Sequence, residues 1–189
     1  RARRDSKAED IPFRLQKIDC IFDTLDMLKK AVLDDPVLHA RLKGVGVMTY
    51  QESIDFSALG PTSRASGVAR DVRKDSPYGA YQEMDWDMIV TENGDVFDKA
   101  VVRILEMFES AKIMKYCLNN LPDGEIDANI KDVPPGEGIG HIEAPRGETF
   151  HYVRSDGTNR PMRHKVRAPT FMNLPNYKAT VKGETISDA

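Results

Sequence analysis

Hydrophobic side chains recur at steps of three and four along the first part of the chain: Leu15, Ile18, Phe22, Leu25, Leu28 and Val32. That spacing lays one apolar stripe along a helix of about five turns. Asp34-Asp35-Pro36 ends the helix and starts another, with Asp35 as N-cap and Pro36 in the first turn, and the second helix stops near Gly44. Thr49 and Glu52 stand at capping-box spacing and predict a further short helix to about Leu59. A second long period, Phe97, Val101, Ile104, Phe108, Ala111 and Leu118, follows an Asn93-Gly94 turn. Asp95 can cap this helix, and Pro122 and Gly124 close it. Met107 and Met114 fall within it and, at helical spacing, read as core filler in preference to a soft stripe for a partner.

Beyond residue 147 the period changes to two. Phe150, Tyr152 and Arg154 alternate with His151 and Val153, and Met162, His164 and Val166 alternate with Arg163, Lys165 and Arg167. Two such arms around Asp156-Gly157 predict a hairpin. Its ends, Pro145-Arg146 and Pro169-Thr170, would then meet, placing a guanidinium and a hydroxyl, each beside a rigid proline, at one edge of a small sheet. The segment from Gly60 to Tyr81, GPTSRASGVARDVRKDSPYGAY, has neither period and carries Arg64, Arg70 and Arg73. Its composition is not that of a disordered tail, so it reads as an ordered loop pinned by ion pairs. Gln82 to Val90 reads as a short strand or extended segment anchored by Trp86, residues 123–140 as a Pro/Gly-rich connector, and the tail after Asn173 as irregular. The expected architecture is α+β, mainly helical with a small antiparallel sheet. It is one domain over 1–189: a helical scaffold (1–59), the Arg/Gly loop (60–81), the long helix (95–121) and the small sheet (141–170).

Composition narrows the function. With 189 residues, 40% hydrophobic and 30% charged, and a net charge of -3, the chain can bury a real core and has no bias toward nucleic acid or membrane surfaces. The basic hairpin face could hold an anion or RNA, yet it lacks interleaved aromatic residues and reads more simply as solvated. No apolar run reaches the roughly 18 residues of a spanning helix, and RARRDSKAED is too polar for a signal peptide. The absence of an initiator Met and the abrupt end suggest a piece of a longer protein. Cys20 and Cys117 stand apart, which argues against a disulfide framework, fits a reducing compartment, and reads as two buried helix-face residues. His39, His141, His151 and His164 lack metal-site spacing, and Gly44-Val45-Gly46 lacks the rest of a dinucleotide motif.

Three motifs in order, GPTSRASGVARDVRKDSPYGAY, NGDVFDKAVVRILEM and EAPRGETFHYVRSDGTNRPMRHKVRAPT, resemble the large subunit of nickel-iron hydrogenases over nearly the whole chain from about Ile18. The likeness is to the energy-converting, membrane-bound branch and to its relative, the hydrogenase-like quinone-site subunit of respiratory complex I. Two features point to the hydrogenase branch: the short span from Leu121 to the EAPRG turn, and a hydroxyl residue after the proline of RAPT. The resemblance implies an oxidoreductase parent that oxidises H2 or reduces protons. Its metals would be held by two C-x-x-C motifs that this chain lacks, so the chain itself would hold no metal or other cofactor and be silent. Arg146 would hang over the open side of the metal pair as the catalytic group, Pro145 and Pro169 would line dry walls beside the iron, and Thr170 would donate to a ligand on iron. Arg64, Arg73 and Asp75 would match the loop motif with a positional role. The partners implied are an iron-sulfur small subunit and membrane subunits, on the cytoplasmic face of the inner membrane. The alternative is a complex I type subunit that shapes a quinone pocket without its own metal, NADH being oxidised elsewhere in the complex. A third reading, from another class, is a structural or assembly module.

Overall fold

The computed structural model describes residues 6–127, 129–130 and 132–188. The predicted stripe forms α1, Ile11–Asp34, and the second long period forms α6, Val96–Asn119. The two pack along each other, with Phe22 and Phe108 ring centroids 6.3 Å apart and Lys115 bridging to Asp19 at 2.8 Å. Ile18 and Leu25 of α1 and Val102, Ile104 and Ala111 of α6 are buried in the core, whereas Leu28 is 39% exposed. Met107 and Met114 are exposed rather than core filler, because Val102 and Ala111 occupy the inward face at no exposure. Nor are the cysteines buried: Cys20 is exposed and Cys117 half-buried.

Local capping chemistry sets the short helices. Asp35 accepts from the Val37 and Leu38 amides at the start of α2, Pro36–Leu42. Thr49 and Glu52 close a reciprocal capping box on α3, Tyr50–Asp55. That helix ends earlier than expected, since Ser57 turns to a positive φ of 55°. Asp95 caps α6 through the Asp98 amide and also accepts from the Gly44 amide at 2.9 Å, tying the end of α2 to the long helix. The Gly60–Tyr81 segment is ordered as expected. It contains α4 (Pro61–Arg64) and α5 (Val72–Asp75), and Ala65 and Val68 within it belong to the core. Residues 84–90 form no strand; Trp86 is nevertheless buried as predicted, between the Arg73 guanidinium at 4.5 Å and the Lys74 ammonium at 4.3 Å.

The sheet has three strands rather than two. β1 (Gly136–Ala144), β2 (Gly147–Ser155) and β3 (Pro161–Arg167) form an antiparallel meander. The second half of the expected connector is therefore a strand, and the sheet starts at residue 136 rather than 141. Gly136, Gly138 and Gly140 leave the first half of one face of β1 without side chains, so it gives no alternation to read. The connection from β2 to β3 spans residues 156–160 beside a register shift at Arg154/Ser155, and is longer than a two-residue turn. The Asp156 carboxylate accepts from both the Thr158 amide and hydroxyl, which fixes this loop. After β3 the chain enters α7 (Pro169–Asn173), a 3-10 turn over Leu174–Asn176 and α8 (Tyr177–Thr180), so the tail is more regular than expected. α5 packs on β1 and α7 on β2, hanging the sheet on the loop.

One buried cation gives a pH-dependent contribution. Lys99 of α6 donates to the Gly46 carbonyl at 2.6 Å, and burial pulls its ammonium from the ordinary range down to about 8, against the pull of Asp95. The folded state thus binds fewer protons than the unfolded state between that value and the ordinary lysine range. Stability from this group is least below about pH 8 and rises as pH climbs toward 10.5. Replacing Lys99→Met is expected to abolish this rise, worth about 2 kcal/mol, in denaturant titrations at pH 7.5 and 10. A variant with an unchanged pH slope would contradict it.

Candidate functional site

The site begins where two glycines touch. Gly60 (φ +65°) precedes α4, and Gly147 (φ +122°) follows the Pro145-Arg146 turn that joins β1 to β2. A Cβ on Gly60 would lie 2.5 Å from the Arg146 carbonyl oxygen, and one on Gly147 would lie 2.7 Å from the Gly60 nitrogen. Both positions require backbone that side chains resist, and both contacts are backbone, which cannot yield. Gly147→Ala is expected to cost about 2 kcal/mol or more, read as a lowered denaturation midpoint; a midpoint equal to the parent's would show that the two segments can separate freely. Asn173 ties the same junction: its carbonyl accepts from the Leu59 amide at 2.8 Å, and its amide donates to the Leu59 and Arg146 carbonyls at 3.3 Å.

Behind this junction lies Arg64, its side chain 1% exposed. Its Nε donates to Glu106 Oε1 at 2.8 Å and its Nη2 meets the same oxygen at 2.6 Å. Nη1 reaches Glu143 at 3.1 Å, Asp71 at 3.3 Å and the Arg70 carbonyl at 2.9 Å. Asp71, wholly buried, also receives Arg73 through Nε at 2.9 Å and Nη2 at 2.6 Å. Two guanidinium groups are thus held among three carboxylates drawn from the loop, α6 and β1. This is the ion-pair pinning expected of the loop, and Arg73 takes the positional role expected of it. Asp75 accepts from the Asp71 amide at 3.1 Å. Burial works against the Arg73 charge, but Asp71 outweighs it and raises the group above the ordinary arginine range. Glu143 moves the other way for a carboxylate: burial, then Asp71, raises it, with Arg64 only partly offsetting them.

Against this network opens a cavity of about 680 Å3, bordered by Arg146, Pro145, Arg103, Tyr81, Met107 and the network itself. Arg146 and Arg103 have no carboxylate within ion-pair distance among the described residues. Arg103 donates to the Lys99 carbonyl at 2.8 Å. Burial pulls its guanidinium below the ordinary range and Arg146 pushes it further, while Glu106 opposes both. The cavity therefore presents excess positive charge beside an apolar Met and an aromatic rim, a setting that favours a flat, polarisable ligand on which negative charge develops.

Pro169 and Thr170 lie elsewhere. Pro169 is buried in the first turn of α7, and Thr170 is exposed at the border of a second cavity of about 290 Å3 with Lys99, Asn173 and Asn176. α7, which begins at Pro169, packs on β2 and reaches the Arg146 carbonyl through the Asn173 side chain, while Arg146 and Thr170 border different cavities. Sequence reasoning passed over Arg103, Glu143 and Asn173. Glu143 stood within the quoted EAPRG motif, whereas Arg103 and Asn173 carry no local signal, since their partners come from distant segments.

A nickel-iron centre does not fit the residues present. Such a centre takes four thiolates; the chain has two cysteines, and neither borders the arginine cavity. Among the described residues no group of three His, Cys, Asp or Glu is placed to hold a metal ion, and no helix is long and apolar enough to cross a membrane.

Comparison with known proteins agrees with the motif order. The chain is 37% identical over 179 residues to the carbon monoxide-induced hydrogenase of Rhodospirillum rubrum, covering 90% of this chain and 50% of that protein. It is 35% identical over 188 residues to an NADH-quinone oxidoreductase subunit of a Dehalococcoides mccartyi strain, covering 98% and 51%. With the corresponding NADH-quinone oxidoreductase subunit of Herpetosiphon aurantiacus it shares 38% over 181 residues, covering 92% and 48%. The chain thus spans about half the length of the curated relatives it matches. The preference for the hydrogenase branch finds less support than its alternative, because the span after Leu121 is a surface connection, whose length varies freely. Matching over residues 4–133 and 128–189, the chain belongs to the family described as the respiratory-chain NADH dehydrogenase 49 Kd subunit.

Proposed function

We propose that this chain is part of the hydrogenase-like subunit of a multisubunit NADH-quinone oxidoreductase, and that its arginine cavity forms part of the wall of a quinone pocket. The single observation that carries the reading is the excess of positive charge at Arg103 and Arg146 beside Met107 and Tyr81, in a member of this family. A quinone accepts two electrons and two protons, and passes through forms bearing negative charge on oxygen. Fixed guanidinium groups lower the energy of those forms more than that of the neutral quinone. Arg146, at the tip of a turn clamped by two glycines and Asn173, supplies this charge from a fixed backbone. Pro145 borders the same cavity, and Thr170 borders the second one. In this reading the chain holds no metal of its own, and its partners are an iron-sulfur subunit that delivers electrons and membrane subunits that hold the complex on the cytoplasmic face of the inner membrane.

A second reading, the core of a hydrogenase large subunit, is favoured by the 37% identity to the Rhodospirillum rubrum protein. In it Arg146 would act over a metal centre whose thiolates come from outside this chain. The experiment that separates the two is purification of the complex containing the full-length parent, with nickel determination and parallel assays of quinone reduction by NADH and of H2 turnover. The proposal expects quinone reduction with no stoichiometric nickel. Nickel near one per complex, with H2 turnover and no quinone reduction, would reverse the order of the two readings.

A further inference from the structure

A third cavity, of about 580 Å3, shares Glu143 with the arginine cavity as a lining residue. Its side chain is 6% exposed. Beside it on the same face of the sheet stand His141, two residues earlier on β1, and Glu148, its direct cross-strand partner on β2. His141 Nδ1 lies 2.8 Å from Glu148 Oε1, and its Nε2 lies 3.3 Å from the Ser76 hydroxyl at the end of α5. Arg167 of β3 holds the other Glu148 oxygen in an ion pair. His141 and Glu148 are partly open to solvent, so an imidazole and a carboxylate at the mouth of one cavity lead to a buried carboxylate shared with the next.

We infer that Glu143 is a proton-transfer residue, fed through His141 from the third cavity and discharging into the cavity of Arg146. This deepens the quinone reading and rests on it. Two cross-strand carboxylates repel, and the structure resolves the conflict unequally. Glu148 is kept ionised: burial opposes its charge, but Arg167 and His141 outweigh it and lower the group. Glu143 faces Arg64 but also the buried Asp71, with the Val72 amide 3.5 Å from its carboxylate and Tyr78 accepting its backbone N–H at 3.1 Å. Arg73 is committed to Asp71. Burial first, and Asp71 second, thus hold the Glu143 carboxyl above the usual carboxylate range. His141 and Glu143, two residues apart on one strand face, have Cα atoms about 7 Å apart and border the same cavity, through which a water-mediated relay would run. In the step itself, electrons reach the quinone from reduced nicotinamide through the iron-sulfur carriers of the complex. The Glu143 carboxyl O–H breaks, its proton forms the O–H of the reduced quinone, and the carboxylate left behind takes a new proton relayed from solvent by way of His141. Two such deliveries balance the two-electron reduction to quinol.

The test uses the complete complex with Glu143→Gln, Glu143→Asp and His141→Gln, assayed from pH 6 to 9 with a quinone and with ferricyanide, which takes electrons without protons. Glu143→Gln is expected to lower quinone reduction at least about tenfold and leave ferricyanide reduction unchanged, and Glu143→Asp to recover most of the rate. His141→Gln is expected to slow quinone reduction and leave ferricyanide reduction unchanged. Quinone reduction by Glu143→Gln at the parent rate and pH profile would overturn the inference. So would equal losses in the Gln and Asp variants, which would mark a structural role. A parent complex that turns over H2 and no quinone would refute the quinone reading alone, and the same variants in the proton-consuming H2 assay would still decide the relay. A parent with neither activity would overturn both.

Discussion

Arg64→Ala is expected to unfold this domain more than any other single substitution, by about 3–5 kcal/mol. Three carboxylates, Asp71, Glu106 and Glu143, converge on one guanidinium that is itself out of contact with water. Burying charges is costly, and the arrangement holds only because each is paired and hydrogen-bonded. Removing the cation leaves Asp71 with Arg73 alone and leaves Glu143 beside Asp71 and Glu148 with no counter-charge of its own. Arg64→Lys restores a charge but not the fork that reaches Glu106, Glu143 and the Arg70 carbonyl together, so it is expected to recover only part of the loss. Denaturant unfolding of the two variants checks this. A loss below about 1 kcal/mol, the range of surface ion pairs, would show that the network contributes little to stability.

The second large effect is on activity. Arg146→Ala in the full-length parent is expected to lower quinone reduction about a hundredfold, the scale of losing one fixed charge-stabilising donor. Stability should change little, because the guanidinium is exposed and the turn is held through the Arg146 carbonyl, which the substitution keeps. Arg146→Lys should fall between, retaining charge without planar geometry. The measurement is kcat with quinone set against ferricyanide reduction. Equal losses with both acceptors would place the residue in electron delivery or assembly instead.

What the sequence could disclose divides along the distance between interacting groups. Asp35, the Thr49–Glu52 pair and Asp95 act on amides two or three residues away, and all were legible as caps. The long helices were legible from period, although the stripe on α6 missed Val102, because the loop packs against a broader face than the stripe covers. β1 was hidden because alternate positions are glycine. The loop was legible as ordered by ion pairs, but not which carboxylates Arg64 would select, since Glu106 and Glu143 lie 42 and 79 residues further along. Asn173, which binds Leu59 across 114 residues, is a polar residue in a short helix with nothing local to mark it. The family was legible from three ordered motifs, whose glycines and arginines now have physical reasons: Gly60 and Gly147 allow backbone contact, and Arg64 sits at the centre of the buried network. Arg146 was found through the motif, while its cationic neighbour Arg103 emerges only from the packing of α6 against the β1–β2 turn.

Covalent mapping tests whether the cavity beside Arg146 borders bound quinone. A photoreactive quinone analogue that supports turnover should be bound to the complete complex, irradiated, and the labelled peptides identified. Label is expected on the α6 segment carrying Arg103 and Met107 and on the Ala144–Arg146 turn, suppressed by excess quinone. Label confined to other subunits, or to the Thr170 side of this chain, would contradict it.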